Sequence, residues 1–116
     1  MNIPPECIGR KILDIRIDDD LIIEFEDRSC LSFMGGQEWS QHTYMETDDE
    51  VEVFFGSTFL GVELDEVKTI EDKGWEHEIQ FLRILTSDGP LTICSHNKYD
   101  GWYGAFNLEV FFREGL

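Results

Sequence analysis

Apolar and polar residues alternate with period two over much of this chain, the pattern of strands with one buried and one solvated face. Leu13, Ile15 and Ile17 are interleaved with Asp14 and Arg16. After Asp18-Asp19-Asp20, a second run sets Leu21, Ile23 and Phe25 against Ile22, Glu24 and Glu26. Asp27-Arg28-Ser29 supplies turn chemistry before a third run from Cys30 to Met34, which Gly35-Gly36 ends. Residues 37–47 carry no clear period and read as loop. Thr47 and Glu50 have capping-box spacing, Asp48 and Asp49 suit the positive end of a helix, and Val51, Phe54 and Phe55 share a helical face, so a short helix is expected near 48–55, ended by Gly56. A strand over 51–55 competes with it, because Val-x-Val-Phe-Phe has high β propensity.

The strand signal returns at Phe59 to Glu63 and at Val67 to Glu71, with Asp72-Lys73-Gly74 as a turn. Residues 78–86 form the longest apolar run and read as a central strand covered on both faces. Ser87-Asp88-Gly89-Pro90 turns the chain into Leu91 to Ser95. A Gly-rich aromatic loop at 97–104 follows, and then a last strand alternates Phe106, Leu108, Val110 and Phe112 with Asn107 and Glu109. No repeat or linker divides the chain, so one domain over 1–116 is expected. Its class is mainly β (α+β): a single antiparallel sheet or partly closed barrel of six to seven strands with one short helix against it.

Charge changes this picture more than composition does. The 116 residues are 41% hydrophobic and 13% aromatic, too apolar for a disordered acidic tail despite a net charge of −16. Between Asp18 and Glu66 stand fifteen Asp and Glu residues against one base, Arg28, while both flanks are near neutral. Like charges at this density oppose compaction and steer a partner of opposite sign. Asp18, Asp19, Asp20, Glu24, Glu26, Asp48, Asp49, Glu50, Glu52, Asp65 and Glu66 are therefore the candidate partner-binding residues. Carboxylates two apart on a strand lie about 6.8 Å apart, and DNA carries roughly one charge per 1.7 Å of duplex axis. A row such as Glu24 and Glu26 would then copy phosphate and enter a Lys/Arg groove; a merely solvating acidic face is the competing reading. Direct nucleic-acid binding is disfavoured, since a phosphate backbone needs cations.

Candidate chemistry is sparse. His96 and Asn97 precede a loop holding Asp100, Trp102 and Tyr103, and together they make an alternative pocket with a potential acid/base group. Ordinary turn-forming and core-capping roles explain the same residues. His42, His77 and His96 are far apart in sequence and Cys7, Cys30 and Cys94 form no CxxC pair, so no metal or other cofactor is expected and the cysteines read as free cytoplasmic thiols. The acidic triplets lack the glycine and distal Glu of an EF-hand loop. No apolar run approaches the ~20 residues of a membrane span, and Met1-Asn2-Ile3-Pro4-Pro5 has neither the basic nor the apolar region of a signal peptide, which leads to an expectation of a cytoplasmic protein that binds no membrane.

Ser95-His96-Asn97, Gly101, Tyr103-Gly104, Phe106 and Leu108-Glu109 follow the form SHNxxxGxYGxFxLE. They resemble the C-terminal signature of a small uncharacterised domain family of bacteria and their phages. The resemblance covers residues 95–109, implies a compact β-rich domain of phage or mobile-element type, and brings no established activity. With the acidic stretch, it leads to the expectation of a non-enzymatic inhibitor, anti-CRISPR-like and a DNA mimic, that blocks the basic nucleic-acid-binding groove of a host defence effector. An immunity protein against a nuclease toxin uses the same physics. A small ligand-binding or hydrolytic domain built on the His96 loop is the alternative from another class.

Overall fold

The computed structural model describes residues 3–35, 42–72, 75–99 and 108–115. Among them are nine strands: β1 (Ile12–Ile17), β2 (Leu21–Phe25), β3 (Cys30–Gly35), β4 (His42–Glu46), β5 (Phe59–Leu64), β6 (Lys68–Asp72), β7 (Trp75–Thr86), β8 (Gly89–Tyr99) and β9 (Leu108–Arg113). The mainly β class holds. The expected single sheet of six to seven strands, or partly closed barrel, does not: two open antiparallel sheets are present, ordered β1-β2-β3-β9 and β4-β8-β7-β5, with β6 also on β7. The chain builds three strands of the first sheet, leaves it after β3, makes the whole second sheet, and returns through β9 to pair with β3.

The inner faces of the two sheets share one core. Ile15, Leu21, Ile23, Phe25, Leu31 and Phe33 from the first sheet meet Met45, Phe59, Leu82, Ile84, Leu91 and Ile93 from the second. Phe25 and Phe59 meet edge to face across it, centroids 5.6 Å apart. On β1 the buried residue at the strand start is Ile12 and not Leu13, because a bulge between Ile12 and Asp14 shifts the alternation by one. Gly35 stands where the chain changes sheets. A β-carbon there would lie 2.8 Å from that of Thr43, so no larger residue fits without displacing β4.

Four further expectations change. Residues 42–46, expected as loop, form β4, and residues 97–99 continue β8 instead of opening a loop. Apart from Met45 their side chains are polar or aromatic and give no apolar period, yet both segments complete backbone ladders with β8 and β7. The helix near 48–55 is only a four-residue 3-10 turn, Val51–Phe54. Its capping box is not made: the Thr47 Oγ1 accepts the Asp49 N–H (3.1 Å) and donates to the Thr92 carbonyl (2.6 Å), so the hydroxyl ties the loop to β8. Finally, β7 is covered on one face. Leu82 and Ile84 are buried, whereas Ile79, Phe81 and Leu85 on the other side are half-buried. The expected turn at Asp72-Lys73-Gly74 lies outside the described residues but for Asp72, and the expected strand start at Phe106 and Asn107 lies wholly outside them.

β7 is long enough to serve two partners on one edge, β5 along Leu82–Thr86 and β6 along Trp75–Ile79, while β8 runs along the whole of its other edge. The two-residue turn Ser87-Asp88 joins β7 to β8, and Gly89 supplies its positive φ of 106°. This hairpin sets the register that places the site described below.

Candidate functional site

Two surfaces carry chemistry, and they adjoin. The first is an acidic ridge. As the edge strand of its sheet, β1 needs a cover for its free backbone groups. Residues 45–57 supply it, running antiparallel to β1: the Met45 N–H donates to the Asp18 carbonyl (2.9 Å), the Gly56 N–H to the Ile12 carbonyl (2.7 Å) and the Ile12 N–H to the Ser57 carbonyl (2.8 Å). The cover has about twice as many residues as the strand it follows, so its middle bows outward. Asp48, Asp49, Glu50 and Glu52 are exposed there, and the Asp18-Asp19-Asp20 turn stands at the Met45 end. Val53 (60% exposed) and Phe55 (39%) rise from the same ridge while Phe54 is buried beneath it.

The candidate partner-binding residues divide by their surroundings. Among the described residues, no ion pair reaches Asp18, Asp19, Asp20, Asp48, Asp49, Glu50 or Glu52. Asp49 is held by the Thr92 N–H at 3.0 Å. The carboxyl of Asp20 is pushed above its ordinary value by burial and then by its neighbours Asp19 and Asp18. Two of the remaining candidates, Asp65 and Glu24, meet an arginine. Asp65 grips Arg83 with both oxygens (2.6 and 3.1 Å), which holds its carboxyl below the usual range, and Glu63 adds a third contact at 3.3 Å. Glu24 lies 3.6 Å from Arg28. Glu26 does not extend a carboxylate row from it, since β2 ends at Phe25 and Glu26 sits in the following turn. Glu66 is exposed.

The second surface is the outer face of the second sheet. The alternation of β8 puts Cys94, His96 and Lys98 on that face, and the registers set Tyr44 and Ile79 beside His96, Glu46 and Phe81 beside Cys94, and His42 and His77 beside Lys98. The His96 ring is stacked on Tyr44, 4.4 Å between centroids and 7° between planes. Its Nδ1 is 2.9 Å from the His77 Nε2 and its Nε2 is 2.7 Å from a Glu46 oxygen. Lys98 lies over Tyr44, and the His42 ring is 5.5 Å from that of Tyr44. Burial and then the charge of Glu46 push the Cys94 thiol up. A shallow depression of about 320 Å3, lined by Glu46, Thr47, Asp48, Asp49, Phe81, Thr92 and Cys94, connects this face with the ridge.

Residues far apart in the sequence therefore share this face. Distance along the chain does not separate residues on neighbouring strands, and β4, β8 and β7 bring His42, His77, His96 and Cys94 to one face. Glu46, Tyr44, His77 and Cys94 were absent from the sequence-derived candidates. The spacings Tyr44/Glu46 and Cys94/His96 signal same-face pairs, but only the register joins them. Of the alternative pocket, His96 and Asn97 point to opposite faces of β8, Asn97 being 2% exposed on the inner side, and Asp100, Trp102 and Tyr103 lie outside the described residues. Cys7, Cys30 and Cys94 are free thiols. Among the described residues no helix is long and apolar enough to cross a membrane.

As chemistry, the Glu46–His96–His77 chain can hold a proton or a cation. A thiolate nucleophile is poorly served, since both ring nitrogens of His96 are engaged and the carboxylate of Glu46 disfavours a second anion at Cys94. No family model, curated protein or solved structure matches the chain.

Proposed function

We propose that this chain is a non-enzymatic interaction protein whose acidic ridge binds a basic partner. The observation that carries the reading is the ridge itself: Asp18, Asp19, Asp20, Asp48, Glu50 and Glu52, which form no ion pair among the described residues, flank exposed Val53 and Phe55. Apolar anchors ringed by charge have the composition of a protein-binding surface, where burial of the anchors gives affinity and the charges give orientation and encounter rate. The carboxyl of Asp20, raised by burial and then by Asp19 and Asp18, adds a second argument, because a charge held there at neutral pH is unfavourable to the fold.

The sharper form of the proposal is an inhibitor that competes with nucleic acid for a Lys/Arg groove on a host defence effector, in the manner of an anti-CRISPR protein and DNA mimic. Its phage or mobile-element character rests on the resemblance of residues 95–109. A cytoplasmic setting belongs to the same proposal and agrees with three free thiols. An immunity protein against a nuclease toxin is the neighbouring reading, separated by the identity of the partner. The ligand-binding or hydrolytic alternative has less support, because Asn97 lies on the inner side of β8 and His96 on the outer.

The test is capture of basic nucleic-acid-binding proteins from bacterial lysate on the immobilised chain at about 0.05 M salt. Release is expected at about 0.5 M, as the Debye length falls from roughly 14 to 4 Å. The captured protein should lose its nucleic acid when the chain is added. Capture of the same proteins by the variant D48N/D49N/E50Q/E52Q, or their retention of nucleic acid beside the bound chain, would overturn the reading.

A further inference from the structure

We propose that Glu46, Cys94 and His96 form a binding site for a transition-metal dication of the Zn2+ class. The inference is independent of the ridge and goes beyond it. The thiol, one imidazole nitrogen and one carboxylate oxygen all lie within 4.8 Å of one another. Around a tetrahedral Zn2+ with bonds of about 2.0–2.3 Å, neighbouring donors stand about 3.3–3.6 Å apart. The 2.7 Å contact between Glu46 and His96 therefore has to open by a little over half an ångström, and the thiol has to close on both. Glu46 is free to do this, its side chain being 63% exposed. The two other donors sit two residues apart on β8, held by the longest ladder in the molecule.

His96 is placed as a metal-bound histidine is. Its side chain is 11% exposed, Tyr44 covers one ring face, and His77 meets the nitrogen that does not contact Glu46. A proton on Nδ1, donated to the His77 Nε2, leaves the Nε2 lone pair for the cation and fixes the ring plane. His77 is thus a positioning residue. When the cation enters, the Cys94 proton leaves to solvent and thiolate and carboxylate together balance the charge of two. The thiol and imidazole select against Ca2+ and Mg2+, which take oxygen donors. The fourth position opens on the depression lined by Thr47, Asp48 and Asp49, where water or a partner's side chain completes the tetrahedron.

The experiment uses the full chain, stripped with chelator and kept reduced with a phosphine. Titration with Co2+ should give a thiolate-to-cobalt absorption that saturates at one equivalent, is bleached by one equivalent of Zn2+ and is unmoved by a large excess of Ca2+. Against a chromophoric chelator, Cys94→Ser and His96→Gln should lower Zn2+ affinity by more than about 100-fold. Glu46→Gln should lower it about tenfold or more, and His77→Ala by about tenfold with the cobalt band retained. Circular dichroism checks that each variant is folded; if His96→Gln is not, Cys94→Ser and Glu46→Gln decide. A folded chain without the band, Zn2+ affinity unchanged in folded Cys94→Ser, or displacement of Co2+ by Ca2+ each overturns the proposal, the last showing only adventitious attraction to an acidic surface.

Discussion

Asp65 and Asp48 belong to the same acidic stretch and have opposite situations. Asp65 follows β5 and closes bidentately on Arg83 of β7, a base supplied from beyond the acidic stretch. Asp27 meets Arg10, supplied from before it, through one oxygen, and two bonds from Ser29 followed by the Arg10 charge hold its carboxyl low. Asp48 and its neighbours on the ridge meet no cation among the described residues. The flanking segments thus neutralise the acids that fold toward them. The ridge keeps its charge because it covers the β1 edge with backbone hydrogen bonds, which require no cation beside its carboxylates.

The largest effect that would break this comparison is on partner binding. D48N/D49N/E50Q/E52Q should slow association with the captured partner by at least about tenfold at 0.05 M salt, while E24Q/D65N should leave it within about twofold. Stopped-flow measurement of both variants decides. Equal slowing by the two would mean that net charge matters and the ridge does not.

A fold-level break comes next in size. Gly35→Ala puts a β-carbon onto Thr43 and should cost about 1–3 kcal/mol by overpacking, measured as a shift of the urea midpoint. All ridge charges are kept, so binding should persist wherever the variant is folded. Thr47→Val is subtler. It removes the hydroxyl that accepts from Asp49 and donates to the Thr92 carbonyl, at about 1 kcal/mol. If shape as well as charge makes the ridge, the dissociation rate of the partner should rise a few-fold in this variant although its net charge is unchanged.

The same contrast marks what was legible in the residues. Period-two alternation located β1, β2, β3 and β8 because each presents an apolar inner face, and Ser87 to Pro90 located the tightest turn. It missed β4 and residues 97–99 of β8, where Thr43 and Asn97 are buried polar residues in a ladder. Hydropathy carries no signal there. It also implied one sheet, since alternation reports which side of a strand is apolar and not which sheet it joins. The acidic stretch was visible as charge, but its division into paired and unpaired groups depends on Arg10 and Arg83, which lie outside it. The Glu46, Cys94 and His96 cluster was least legible: its members are joined only by register, which no count along the chain contains.

The smallest expected effect tests whether the ridge costs the fold anything. Burial and the charges of Asp19 and Asp18 raise the carboxyl of Asp20, so the folded chain holds that proton more tightly than the unfolded chain does. A raised carboxyl contributes stability that is present below the ordinary carboxyl value near 4 and is lost as pH rises through the higher folded value. At pH 7 the charged Asp20 is therefore a net burden. Asp20→Asn removes that charge with little change of shape and keeps the Asp18 N–H to Asp20 carbonyl bond. It should stabilise the chain by about 0.5 kcal/mol at pH 7, the scale of charge interactions near a surface, and by nothing measurable near pH 3, where Asp20 is already protonated. Asp65→Asn should show the opposite sign: its lowered carboxyl contributes stability above the ordinary value and loses it as pH falls through the lowered one, so the substitution should weaken the fold at pH 7 and converge with the parent in acid. Urea midpoints of both variants at the two pH values distinguish a burdened ridge from a paired surface, and an Asp20→Asn variant weaker than the parent at pH 7 would show that the triplet is structural after all.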